Sequence, residues 1–188
     1  MTATHTATTE WRTRDIVVTA VIAVAFGVFF WAFGFAWAAF GFLGPAGPHN
    51  LLYAAWLLPA IVAPLIVRKP GAALFAELVA ASLSALLGSQ WSIDTILSGA
   101  MQGGAAELVF LGARYRNWSL PVVVAASLAA TVAAFIHDWF IYYPTFDATA
   151  LAILAAFMAV SGLILLPLAA RAIVAALRQA GVLEGFPT

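Results

Sequence analysis

No cysteine occurs anywhere in the 188 residues. A disulfide framework and a thiolate metal site are both excluded. Charge is nearly as scarce: only 9% of the residues are Asp, Glu, Lys or Arg, and eight basic residues balance eight acidic ones. With no net charge, the chain has no electrostatic footprint for a nucleic-acid partner. It carries no GxxxxGK[ST] phosphate loop and no HExxH metal pair. It also has no Ser-His-Asp set in a supporting context. No cofactor and no metal are expected, and an energy source must come from elsewhere or transport must be passive. Met1–Glu10 is polar and Thr-rich. It lacks a basic stretch leading into a short apolar core, so it does not read as a signal peptide.

What the chain does have is apolar mass. Hydrophobic residues make up 64% of it and the mean hydropathy is +1.02, against about 45–50% apolar and about 25% charged residues in a soluble domain. The excess is too large for a soluble core, so the chain is an integral membrane protein. A spanning helix needs roughly 20 apolar residues, and six candidates follow in order. They are Asp15–Phe35, Leu51–Val67, Gly71–Leu87, Ile93–Leu111, Leu120–His137 and Ala148–Ala170. The sixth continues into an amphipathic tail with Arg171 and Arg178, and Gly162 and Pro167 are expected to bend it. Long unbroken apolar runs exclude the two-residue alternation of a β-barrel. The fold class is therefore an all-α membrane bundle of six helices. Residues 1–14 form an N-terminal tail, 15–178 the membrane domain and 179–188 a C-terminal tail.

The few charges carry topological information. Arg12, Arg14, Arg68, Lys69, Arg114, Arg116, Arg171 and Arg178 all fall on one side of a six-span chain. The opposite loops, Trp37–Asn50, Gly88–Ser92 and Asp138–Asp147, contain no basic residue. The positive-inside rule puts both termini and the basic loops in the cytoplasm.

Polar residues inside apolar spans have to face protein or a cavity. Around Gln102-Gly103-Gly104-Ala105-Ala106-Glu107, helix four shows two stripes at four-residue spacing. Asp94, Ser98 and Gln102 form a polar line; Gly99, Gly103 and Glu107 form a small-residue line ending in a carboxylate. Gln102 sits towards the outside and suits a ligand, whereas Asp94, at the helix mouth, suits a cap. Glu77 on helix three and Glu107 lie ~9 Å and ~7–8 Å from the cytoplasmic ends at ~1.5 Å per residue. Their similar height makes a shared proton or partner one expectation, and a structural hydrogen bond the other. On helix one, Thr19, Ala23 and Gly27 recur every four residues, a close-approach stripe. It serves either packing within the bundle or docking of a separate membrane subunit. The outer loops are rich in aromatics, including Trp37, Phe40, Trp91, Trp139, Tyr142 and Tyr143. An interfacial belt accounts for single rings; a lid and wall stacking on a flat ring accounts better for their mixture with His49, Gln90, His137 and Asp138. His137 and Asp138 have no third clear partner for a metal ion.

Arg68-Lys69-Pro70-Gly71-Ala72-Ala73-Leu74, then Glu77, Gln102-Gly103, Ala106-Glu107, and Phe135-Ile136 with Asp138 resemble the substrate-binding S components of energy-coupling factor (ECF) transporters. The YkoE-like branch, assigned to thiamine or its hydroxymethylpyrimidine precursor, is the most similar. The resemblance implies a multi-pass cell-membrane protein that is not an enzyme. Such a subunit binds a vitamin from outside beneath a lid formed partly by the first outer loop. A membrane T subunit and two cytoplasmic ATPases then complete uptake, with Thr19, Ala23 and Gly27 matching the T-subunit contact by position. The lid here departs from the family in its Trp and Pro content and its His49-Asn50 pair, which leaves the ligand open within the pyrimidine–thiamine range. An aminopyrimidine calls for stacking faces and a few fixed hydrogen bonds, and a thiazolium for acids and ring faces. Tyr53, Trp56, Glu77, Trp91, Gln102, His137 and Asp138 are the pocket candidates. Two other classes stay open: a stand-alone secondary transporter or channel, and an intramembrane enzyme or assembly factor using Glu77, Glu107 and His137.

The absence of native cysteine makes topology directly measurable. Single cysteines at Gly47, Ser89 and Thr145 should label with an impermeant reagent from outside; failure at two of the three would contradict six spans.

Overall fold

The structure, a computed structural model, describes residues 10–186; the outermost parts of both tails, 1–9 and 187–188, lie outside the described residues. Among the described residues every regular element is helical. The order is α1 Thr13–Ala39, a 3₁₀ turn Phe40–Leu43, a 3₁₀ helix Pro48–Leu57 running into α2 Leu58–Val67, α3 Ala72–Leu86, α4 Asp94–Gly112, α5 Leu120–Ile141, α6 Ala148–Val160, a π-helical turn Ser161–Leu165, and α7 Leu166–Gln179. The last three are continuous, so the chain forms six rods, at the places where hydropathy puts them. Four rods, Thr13–Leu43, Pro48–Val67, Leu120–Ile141 and Ala148–Gln179, are long and apolar enough to cross a bilayer. α3 is apolar but has only 15 residues. α4 is long enough in residues but carries Asp94, Gln102 and Glu107.

Four boundaries differ from the sequence expectation, each for a local reason. α1 runs on through Trp37 to Ala39, because nothing before Gly44 (φ +75°) interrupts it. The second rod is α-helical only from Leu58; its first ten residues are wound as 3₁₀. α5 extends past His137 to Ile141, so Asp138 and Trp139 are helical rather than loop residues. The backbone N–H groups of Tyr142 and Tyr143 both close on the Asp138 carbonyl, at 2.8 and 3.0 Å, just before Pro144. In the sixth rod a π turn starting at Ser161 replaces a simple bend, and Pro167 sits in the first turn of α7, where its missing N–H costs least.

The middle of the bundle is α2. All ten of its residues are buried, as expected for a helix that is apolar on every side. Around it the helices approach through small residues. A Cβ added at Gly103 would lie 2.7 Å from Glu77 Cβ and 3.2 Å from the Ala73 carbonyl; one at Gly99 would lie 2.7 Å from Ala81 Cβ. The Gly99–Gly103 line is thus the α3–α4 seam. Thr19, Ala23 and Gly27 form a second seam within the same chain. Thr19 and Ala23 are 0% exposed, and a Cβ on Gly27 would lie 2.8 Å from Leu83 Cβ on α3. The stripe is buried within this chain, with Ala23 packed between Ala63 of α2 and Ala76 of α3 and Gly27 against α3.

Glu77, which is buried, and Glu107, which is half-buried, do not share a partner, contrary to that expectation. Each serves the free N–H groups that begin a helix. Glu77 Oε2 accepts from Ala60 N–H at 3.0 Å, in the first turn of α2. Glu107 accepts from Gly71 N–H at 2.6 Å and Ala73 N–H at 2.9 Å, at the start of α3, and from the Tyr115 hydroxyl at 2.7 Å. Gly71 takes φ +85°, a conformation that glycine adopts freely. Burial, followed by that bond to Glu107, raises the Tyr115 hydroxyl well above the usual tyrosine range.

Both described chain ends meet at the same end of the bundle as the α2–α3 and α4–α5 connections. Lys69 Nζ lies 3.8 Å from Asp15 Oδ2, Trp11 Nε1 donates to the Pro70 carbonyl at 2.9 Å, and Arg14 donates to the Gly185 carbonyl at 2.7 Å. All eight basic residues belong to this end.

Gly103 and Gly104 give a paired test of the seam. Gly103→Ala should cost about 1–3 kcal/mol by forcing α3 and α4 apart. Gly104→Ala, whose added Cβ meets nothing within 4 Å, should be neutral or stabilise by up to about 1 kcal/mol. Thermal unfolding in detergent separates them, and equal effects would contradict the seam.

Candidate functional site

At the end opposite the basic loops the rods splay around a cavity of about 240 Å³. α1 contributes Phe30 and Trp37, and the 3₁₀ helix contributes Tyr53 and Trp56. α3 contributes Glu77 and Ala81, and the α3–α4 turn contributes Trp91. The polar line of α4 contributes Asp94, Ser98 and Gln102, with Thr95 and Gly99 beside it. Asp138, Tyr142 and Tyr143 come from the end of α5. Six of the seven candidates therefore converge on one space: Tyr53, Trp56, Glu77, Trp91, Gln102 and Asp138. The seventh, His137, stands behind the wall. Phe30, Thr95, Ser98, Tyr142 and Tyr143 are lining residues that were not among the candidates.

The apolar wall is a packed set of rings. Trp56 sits at its centre, 4.9 Å from Phe33, 5.3 Å from Phe30, 5.9 Å from Trp37 and 5.2 Å edge-on to Trp91, between ring centroids. Contacts of this kind stiffen the wall beyond simple burial. Gln90 Nε2 donates to the Gly34 carbonyl at 3.2 Å and ties the Trp91 turn to α1. Above Trp37 the first outer loop folds over: His49 packs edge-on to Trp37 at 4.8 Å and stacks on Phe40 at 6.3 Å. Asn50 holds the loop in shape by donating to the Pro45 and Gly47 carbonyls, both at 2.9 Å.

The polar wall is a chain of hydrogen bonds. Gln102 Nε2 donates to Ser98 Oγ at 2.5 Å, one turn back along α4. Asp94 does not cap α4; its Oδ1 meets His137 Nε2 at 3.1 Å, and its Oδ2 accepts from the Tyr142 hydroxyl. His137 Nδ1 meets Asp138 Oδ1 at 3.0 Å, and the Tyr53 hydroxyl donates to Asp138 Oδ2 at 2.8 Å. The sequence Tyr142–Asp94–His137–Asp138–Tyr53 thus links α4, α5 and the 3₁₀ helix around the cavity mouth, with His137 set between two carboxylates. Burial, then the charge on Asp138, pushes the Tyr143 hydroxyl up to about 12. Tyr142 is raised too, by burial and then by Asp94. Both phenols are neutral donors at physiological pH. One polar wall facing one aromatic wall is an arrangement that holds and orients a flat polar ring. No base is paired with a nucleophile on it.

Comparison with known proteins places this arrangement. Residues 14–133 match the family described as "ABC-type cobalt transport system, permease component". The chain is 35% identical over 179 residues to the Bacillus subtilis (strain 168) protein YkoE, whose name is that of an HMP/thiamine permease; the match covers 94% of this chain and 89% of YkoE. It also superposes on a crystal structure of an S-component of an ECF transporter with a TM-score of 0.88, at 35% identity, covering 94% of this chain and 90% of that one. The chain belongs to the ECF-transporter S components. As an S component it is the substrate-binding subunit of a multi-pass cell-membrane transport system and not an enzyme. That membership sets aside the intramembrane-enzyme and stand-alone-transporter readings.

The Tyr53–Asp138 bond joins two elements of the S component's mouth and can be measured alone. In a cycle of Tyr53→Phe, Asp138→Ala and the double variant, thermal stability should show a coupling of about 1 kcal/mol or more. Strict additivity would mean that the bond does not hold the wall together.

Proposed function

We propose that this S component captures thiamine or its hydroxymethylpyrimidine (HMP) precursor from outside the cell. A membrane T subunit and cytoplasmic ATPases would then drive its uptake. The observation that carries the reading is the mixed lining of the cavity: closely packed aromatic rings together with Glu77, Gln102 and Asp138. An aminopyrimidine offers a flat face to Trp56 and Trp91 and an exocyclic amine to a carboxylate or amide oxygen. A thiazolium gains from Asp138 and from ring faces. The name of the Bacillus relative points to the same compounds. A bare metal ion, as the family description would suggest, suits this cavity less: among the described residues no three His, Cys, Asp or Glu side chains gather as an ion requires, and much of the wall is aromatic.

The orientation follows from charge. With the eight basic residues at one end, that end and both termini face the cytoplasm, six spans cross the membrane, and the cavity opens outward beneath the His49–Asn50 loop. Thr19, Ala23 and Gly27 are buried within this chain, so an exposed face is the better candidate for the T-subunit contact.

Glu77→Gln keeps an acceptor for Ala60 N–H, so it tests ligand contact with little disturbance of α2. Glu77→Gln and Gln102→Ala should each weaken thiamine or HMP binding at least about tenfold, from loss of about 1.5–3 kcal/mol per hydrogen bond. Calorimetry on purified variants measures this. Unchanged binding in both variants, or only millimolar wild-type affinity for both compounds, would defeat the assignment.

A further inference from the structure

The second rod is wound irregularly before Pro59. Pro48–Leu57 is a 3₁₀ helix of ten residues, whereas such runs rarely exceed three or four. In a 3₁₀ helix each N–H pairs with the carbonyl three residues back. For one of these turns the two groups are the Leu51 carbonyl and the Ala54 N–H. Ser161 Oγ takes both of them: it donates to the Leu51 carbonyl at 2.8 Å and accepts from Ala54 N–H at 2.7 Å. Ser161 is 1% exposed and does not line the cavity.

Ser161 is also the first residue of the π turn between α6 and α7. The wider winding there carries the hydroxyl on the side facing the 3₁₀ helix. The next residue, Gly162, lies against Thr131 of α5 so closely that a Cβ would collide with its side chain. The π turn is thus held between α5 and the second rod. Inserted π turns often occur at functional places.

Winding decides where side chains point. At 3.0 residues per turn, residues three apart eclipse; at 3.6 they diverge by about 60° per step. Asn50, Tyr53 and Trp56 are three apart. In the 3₁₀ form they stand in one row, so Tyr53 and Trp56 both face the cavity while Asn50 shapes the loop above. An α-helical Pro48–Leu57 would keep Tyr53 and Trp56 on one side but splay them by about 60°, and Asn50 and Trp56 by about 120°.

We infer that Ser161 is a positioning residue for the binding site: its hydroxyl, bridging Leu51 and Ala54, holds the 3₁₀ winding that places Tyr53 and Trp56 against the ligand. The inference rests on the proposed ligand reading for its binding readout but not for its structural one. Ser161→Ala removes the bridge and Ser161→Thr keeps it. Hydrogen exchange by mass spectrometry on the detergent-purified protein reports the winding without a ligand, and calorimetry with thiamine and HMP reports the consequence.

Ser161→Ala should speed exchange across residues 50–57 about tenfold or more, leave α3 and α4 unchanged, and weaken ligand binding about tenfold. Ser161→Thr should restore both. If the extra methyl prevents folding, Ser161→Cys, with its weaker hydrogen-bonding group, should give an intermediate rate. Unchanged exchange over 50–57, or loosening spread equally over α3 and α4, overturns the assignment. Local loosening with unchanged affinity overturns the role in binding. Wild-type protein that binds neither compound overturns the ligand reading instead, and the exchange data then decide the role of Ser161 on their own.

Discussion

Inside a bilayer no water is available to satisfy a free backbone group, so each helix start and irregular turn must find its partner within the protein. Much of this structure follows from how so few polar side chains meet that demand. Glu77 meets Ala60 N–H at the start of α2, Glu107 meets Gly71 and Ala73 at the start of α3, and Ser161 meets Ala54 and Leu51 within the 3₁₀ helix. Pro59 has no N–H of its own to satisfy, so the first turn of α2 needs fewer partners. The close seams at Gly99, Gly103 and Gly27 bring α4 and α1 hard against α3. Through the α4 seam Glu107 reaches the start of α3 from the neighbouring helix.

The polar groups that remain after these demands line the cavity. Gln102 bonds to Ser98 along α4, and both line the cavity. Glu77 has a double position, one oxygen on Ala60 and its side chain in the cavity wall. Asp94, His137 and Asp138 are bound into a network with Tyr53 and Tyr142 along the cavity mouth. Rigid rings on one wall and preorganised acceptors on the other lower the ordering cost of binding a small ligand.

Much of this was legible from periodicity and charge. Runs of about 20 apolar residues located the rods, and the four-residue spacing of Asp94, Ser98 and Gln102 put them on one inward line. Tyr53 and Trp56, three apart, fall on one helical face. The missing parts depend on contacts far apart in sequence. Nothing local at Ser161 reveals that it meets Leu51, 110 residues earlier. Asp94 looks like a helix cap until His137, 43 residues on, is seen to hold it. The fifth apolar run reads as ending at His137 because the aromatic stretch after it resembles an interfacial belt, yet the helix continues to Ile141. The stripe on α1 has the same spacing whether its partner is another subunit or, as here, α3. Small residues specify a close approach but not who approaches.

A structure of the purified protein with thiamine bound tests the central claim most directly. The account predicts density for a flat ring within the cavity, against Trp56 and Trp91 and within hydrogen-bond reach of Glu77 or Gln102, with Asp94, His137 and Asp138 still linked behind it. Ligand density outside the space between α1 and α5, or a ring making no contact with either Glu77 or Gln102, would contradict it.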